Sequence, residues 1–171
     1  ELHKNAGGIR GVPTGLRDLD SALAGLQESN LIILAARPGM DKSSLAMNIS
    51  QYVAVEEKMP VGFFSLEMSV LELLDRLLVS QANIDAWKMK TGNLKDEEFT
   101  HLSEAMGVLA DSPLFIDDTP GMSVMEMRTK ARRLQIEHGV KMIVVDYLQL
   151  AVADGKYESR VQEVGAVTQG L

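Results

Sequence analysis

The sequence contains no cysteine. That excludes disulfide frameworks and thiolate zinc sites, and it is compatible with a reducing cytoplasm. Histidine is scarce: His3, His101 and His138 share no ligand-like spacing, so a histidine-built metal site is not expected. An excess of positive charge is also missing, since 17 basic residues against 24 acidic ones leave a net charge of −7. Broad basic patches are therefore disfavoured, while a local site where a few Lys or Arg meet phosphates remains open. The longest clean apolar run, Leu31 to Ala36, is far too short to span a bilayer, and no signal peptide is visible. Internal repeats and low-complexity tracts are absent. The expectation is a soluble, cytoplasmic chain with no membrane partner; its 171 residues, 46% hydrophobic, suffice for one domain with a substantial core.

Four short apolar runs read as buried strands: Leu31–Ala36, Val61–Leu66, Leu114–Asp117 and Met142–Asp146. They are rich in Ile, Val, Leu and Phe and do not alternate with polar residues, as parallel strands covered on both faces should not. Between them the patterns predict helices at about Lys42–Glu57, Val70–Ala82, Asp96–Ala110 and Ser123–His138. Ser69 and Ser123 serve as N-caps, and Gly139 closes the last helix. This is the rhythm of an α/β fold, a parallel sheet flanked by helices through right-handed crossovers. Glu1–Gly15, with its four glycines and Pro13, reads as a linker or extended arm before a domain over residues 16–171. After Asp146, Tyr147–Gly155 reads as a strand end and loop, and a helical segment follows from about Glu158 to Thr168. Sheets of this kind usually continue past a fourth strand, so the sheet is expected to be incomplete at its carboxyl end or completed by another chain.

The stretch "LIILAARPGMDKSSLAMN" carries the first chemistry. Its positions Ala36, Arg37, Pro38, Gly39, Met40, Asp41, Lys42 and Ser43 align with the phosphate-loop pattern G-x-x-x-x-G-K-[ST]. Both glycine anchors are replaced, but Lys-Ser opens a helix directly after an apolar run. In such a loop Lys42 reaches the β- and γ-phosphates, Ser43 holds Mg²⁺, and backbone N–H groups from Gly39 through Met40, Asp41, Lys42, Ser43 and Ser44 cradle the anion. Taken alone, the loop fits an ordinary strand–turn–helix equally well. Asp146, ending the run "KMIVVDYLQL", stands where a Walker-B acid orients Mg²⁺, or it simply caps a turn. Glu67, ending "VGFFSLEMS", would face the crevice at the carboxyl end of a parallel strand and could take a proton from an attacking water. The alternative is a first-turn glutamate complementing a helix dipole.

Together "GVPTGLRDLDSALAGLQESNLIILAARPGMDKSSLAMNIS", "FFSLEMS", "IDDTPGMSVMEMRTKARRLQIEHG", "MIVVDYLQL" and "ESRVQEV" resemble the carboxyl-terminal motor domain of the DnaB family of replicative DNA helicases. The resemblance runs from about Gly8 to the end of the sequence. It implies a RecA-like P-loop NTPase core, a homo-oligomer in the form of a hexameric ring, ATP and Mg²⁺ between subunits, single-stranded DNA through the centre, and a helicase loader and primase as partners. It implies that Lys42 and Ser43 take the phosphate and Mg²⁺ positions, that Glu67 activates water, and that Asp146 is the Walker-B acid. Gln149 matches a polar residue linking the γ-phosphate to DNA-facing loops, and Lys156 and Arg160 fall in a central-channel loop, where each could touch DNA phosphate or stay solvated. Measured against the family pattern, the sequence lacks an amino-terminal domain, the last strands, the second DNA loop and the basic residues a neighbour inserts into the ATP site. The expectation is a partial motor domain that is not a competent helicase by itself, with a non-catalytic assembly or regulatory protein as the rival. Asp41 strengthens the rival, because a side chain before the lysine crowds the β-phosphate and a carboxylate repels it. Asp41 could also sit at the helix N-terminus beside Lys42, in the place of the phosphate. The basic run "RTKARRL" reads as a solvated or subunit-contacting face ahead of a DNA contact. The ten methionines read as gap-fillers, and Trp87 has no assigned role.

Overall fold

A computed structural model describes residues 10–37, 39–148 and 165. Its elements run α1 (Arg17–Leu23), α2 (Lys42–Val55), β1 (Val61–Ser65), α3 (Val70–Ala82), α4 (Ala86–Thr91), α5 (Asp96–Ala110), β2 (Leu114–Asp117), α6 (Val124–His138) and β3 (Met142–Asp146). The three strands form one parallel sheet in the order β2-β1-β3, with Val61 level with Leu114 and Met142, and Ser65 level with Asp146.

β1 is central, and all five of its residues are buried. Successive side chains leave a strand on opposite faces, so adjacent phenylalanines serve two layers. Phe63 packs with Met47 of α2 and with Leu73 and Leu77 of α3. Phe64 packs with Leu66, just beyond β1, and with Met122, Val124 and Met127 at and before α6. Each buried phenylalanine contributes about 2–3 kcal/mol of apolar transfer free energy, which fixes β1 between the helical layers. Gly62 sits where a Cβ would lie 2.8 Å from Ile143 Cδ1, so the approach of β3's side chain leaves room for glycine there.

Two helix starts follow from their residues. Ser69 and Ser123 each accept a backbone N–H three residues on, and Glu72 and Glu126 return the bond to the cap's own N–H. Gly139 at φ 67° ends α6 in the left-handed region. The short helices α1 and α4 were not expected from the pattern.

The predicted strand Leu31–Ala36 is not formed. No ladder hydrogen bond ties it to a neighbour among the described residues, and Leu31, Ile32, Ile33 and Leu34 are 57, 49, 68 and 43% exposed. An apolar run becomes a buried strand only when a neighbour pairs its N–H and C=O groups and a layer covers its side chains, and among the described residues the sheet ends at β3. The segment expected to be an arm overlaps a packed stretch. Val12 bridges Leu26, and buried Thr14 donates through both its N–H and its hydroxyl to Asp20 Oδ1, each at 2.8 Å. The helix expected at about Glu158–Thr168 lies outside the described residues apart from Gly165, which is helical. No described helix is long and apolar enough to cross a membrane.

Candidate functional site

The site lies at the carboxyl ends of the parallel strands, where α2 begins. Asp146, the last residue of β3, is 3% exposed. Its Oδ1 is ion-paired with Nζ of Lys42, the first residue of α2. Its Oδ2 is buried and has no partner among the described residues. Leu66, one residue beyond β1, donates its N–H to the Asp146 carbonyl at 2.7 Å. The lysine ammonium also stands 4.6 Å from the centroid of the Tyr147 ring, a cation–π distance. A buried carboxylate oxygen without a donor is costly unless a cation or donor reaches it, which makes this atom a candidate cation ligand.

The loop before α2 is exposed at Arg37, Gly39, Met40 and Asp41, while Lys42, Ser43 and Ser44 are half-buried. Gly39 has φ 76° and Asp41 has φ 51°, both left-handed. The preference for glycine before the lysine is thus conformational as well as steric, and aspartate is among the few other residues that enter this region readily. The Asp41 side chain makes no capping hydrogen bond, and Lys42 is engaged by Asp146. The expected replacement of phosphate by the Asp41 carboxylate is not what the structure shows. The helix instead presents its first-turn N–H groups, which have no intrahelical acceptors, toward the loop.

Glu67 is exposed in the turn that follows β1. Buried Ser65 holds that turn: its hydroxyl donates to the Met68 carbonyl at 2.6 Å and accepts the Met68 N–H at 3.2 Å. On the β2 side, Asp118 Oδ2 accepts the N–H of Val70, the first residue of α3, at 2.9 Å. Asp117 accepts from Lys130 Nζ at 2.6 Å and from Thr119. Burial pushes the Asp117 carboxyl up, but these hydrogen bonds outweigh it and hold the group below the usual aspartate range.

Residues 11–171 match the family described as DnaB-like helicase C terminal domain. The chain belongs to that family. It is 45% identical over 172 residues to the replicative DNA helicase DnaC of Bacillus subtilis, covering all of this chain and 38% of that protein. It is also 45% identical over 171 residues to the replicative DNA helicase DnaB of Geobacillus stearothermophilus, again spanning 38% of its length. Among solved structures, a DnaB-like replicative helicase, described with its interactions with primase, superposes with a TM-score of 0.91 at 31% identity, over 96% of this chain and 40% of that one. A second solved structure, described as an ATPase domain, superposes at 0.93 and 30% identity, over 99% of this chain and 61% of that one. The fold is therefore the RecA-like α/β fold of the DnaB-family motor domain. The chain spans well under half the length of these two curated relatives.

In this DnaB-family chain the structure brings Lys42, Asp146 and the Glu67 turn to one end of the sheet, with Ser43 and Ser44 in the first turn of α2. Gln149, Lys156 and Arg160 lie outside the described residues. Among the described residues no three His, Asp or Glu side chains converge on a metal position. Asp146 with its Oδ2 and the Ser43 hydroxyl offer hard oxygens of the kind that Mg²⁺ takes. Sequence reasoning missed Ser65, Asp118 and Tyr147. Tyr147 is adjacent to Asp146 and could have been noticed, but its stacking over Lys42 needs the fold. Arg128 and Arg132 are exposed on α6.

Proposed function

We propose that this chain is the ATP-binding part of a DnaB-type helicase motor, acting in the cytoplasm within a hexameric ring on single-stranded DNA, alongside a loader and a primase. The boundaries proposed for it are an arm over residues 1–15, of which 10–15 pack on the domain, and a motor domain over 16–171. One observation carries the reading: a lysine that opens a helix is paired with a buried aspartate at the end of a parallel strand, and the second carboxylate oxygen has no partner among the described residues. In the proposed arrangement Lys42 contacts the β- and γ-phosphates of ATP. The backbone N–H groups of Gly39 through Ser44 surround the anion, and Ser43 and Asp146 hold Mg²⁺. Held there, Mg²⁺ would supply positive charge against the phosphates. Glu67 accepts a proton from the attacking water, and Gln149, Lys156 and Arg160 connect the site to DNA.

Asp41 weakens that site. A carboxylate about 5 Å from a phosphate charge costs roughly 3 kcal/mol at an effective dielectric of about 20, and exposure reduces this further. The left-handed, exposed Asp41 also supports the second reading, a non-catalytic RecA-like protein that joins a helicase ring or its loader. Titration calorimetry with Mg-ATP tests the first reading. Asp41→Gly should bind at least about tenfold tighter than the natural chain, and Lys42→Met should abolish binding. If Asp41→Gly binds no Mg-ATP, the motor reading fails. If it binds but neither form hydrolyses ATP, alone or mixed with a full-length helicase, the assembly reading takes its place.

A further inference from the structure

We propose that Ser65 is a positioning residue for Glu67, an inference that rests on Glu67 being the proton acceptor. Glu67 lies between two anchored neighbours. On one side, Leu66 is bonded through its N–H to the Asp146 carbonyl, and its side chain is buried in the cluster under α6. On the other side, Met68 packs against the opposite cluster beneath α2 and α3, and Ser65 Oγ bonds both its N–H and its carbonyl. The two flanking side chains enter opposite layers, and the exposed Glu67 projects from the turn between them.

The hydroxyl that closes this turn comes from Ser65, a residue 1% exposed and level with Asp146 on the neighbouring strand. The acid that would hold the metal and the acid that would take the proton are therefore linked through Ser65, Leu66 and one interstrand hydrogen bond. Asp118, from the loop after β2, fixes the far end of the same segment by accepting the Val70 N–H. Without the hydroxyl, two Met68 backbone groups lose their partner, and the turn relaxes where it carries Glu67. Ser65 is buried beneath the turn and its hydroxyl is spent on Met68, so its effect belongs to the placement of the base and not to nucleotide binding.

Steady-state Mg-ATP hydrolysis by the full chain and by its Asp41→Gly form tests this, with Lys42→Met as the baseline and Glu67→Gln as the control for the base. Because misplacing a reacting group by about 1 Å can cost about a hundredfold, Ser65→Ala should lower kcat by about tenfold or more, with KM changed less than about twofold. Ser65→Thr keeps the hydroxyl and suits a strand, so it should restore kcat to within about threefold. Ser65→Cys keeps the volume but bonds weakly, so it should behave like alanine. If Ser65→Ala keeps full kcat while Glu67→Gln loses it, the positioning role is wrong and Glu67 stands. If Ser65→Ala and Ser65→Thr lose kcat and thermal midpoint together, Ser65 serves packing and the proposal falls. If Glu67→Gln stays active, or no form rises above the Lys42→Met baseline, the Glu67 reading fails and the role of Ser65 fails with it.

Discussion

At the scale of single residues, Asp41 and Asp146 carry opposite lessons. The sequence flagged Asp41 as a charge in the wrong place, but it could not show that the residue adopts φ 51°. Glycine there would relieve about 1 kcal/mol of left-handed strain while costing a similar amount in unfolded-state entropy. Asp41→Gly should thus leave the thermal midpoint within about 4 °C of the natural chain, although its Mg-ATP affinity rises. A larger shift by scanning calorimetry would mean that the loop is strained beyond this one angle. The ion pair behaves differently, because its partners are unequally buried: the Asp146 side chain is 4% exposed and that of Lys42 is 25% exposed. Lys42→Met strands a buried carboxylate with neither oxygen paired and should cost about 2–4 kcal/mol. Asp146→Asn lets the lysine turn to water, so its cost should be smaller by at least about 1 kcal/mol. Equal losses in urea titrations would show that the site is wetter than its burial implies. That Lys42 and Asp146 belong to one site was legible as Lys-Ser after one apolar run and Asp after another; their ion pair and the unpartnered Oδ2 were not, because both depend on what surrounds β3.

Elements were legible where their boundaries are written in side-chain chemistry. α3 and α6 each start at a serine followed three residues later by glutamate, and both capping boxes form. Ser123→Ala should cost about 1 kcal/mol, measured as a shift in urea midpoint, and Ser123→Gly only a few tenths. A loss below about 0.3 kcal/mol for alanine would mean that Glu126 alone holds the helix start. α1 was not legible because Leu16 at its N-cap offers no side-chain hydrogen bond, and α4 because its six residues are too few for a period to show. The link between β2 and α6 through Asp117 and Lys130 adds a pH dependence. The folded carboxyl lies below its unfolded value, so the unfolded chain binds the proton more readily. This contribution is fully present above the ordinary aspartate value of 3.8 and is lost as pH falls through the depressed folded value. The stability difference between the natural chain and Asp117→Asn should therefore be constant from about pH 7 to 5 and shrink below about pH 4. A difference that stays constant down to about pH 3 would rule the linkage out.

For the molecule as a whole, the class of fold followed from apolar runs alternating with helical patterns, whereas strand order and strand completion did not. Strand order depends on which run lies between two others, and β1 takes the centre because both its faces meet helices. Leu31–Ala36 is as apolar as β1, so composition alone could not separate a strand that pairs from one that does not. The two readings of this segment differ in stability. A residue in a doubly covered strand costs several kcal/mol when it is truncated, about 3–5 for phenylalanine and 2–5 for isoleucine. Ile33, 68% exposed and without ladder bonds around it, has little to lose. Phe63→Ala should therefore cost about 3–5 kcal/mol, a large share of the roughly 5–15 kcal/mol that usually holds a domain together. Ile33→Ser in the same chain should stay within about 0.5 kcal/mol of the natural stability. Urea denaturation of both variants compares the two sites directly, with the unchanged chain as reference. A loss above about 2 kcal/mol for Ile33→Ser would mean that the segment before the phosphate loop is covered in solution and completes the sheet beyond β3.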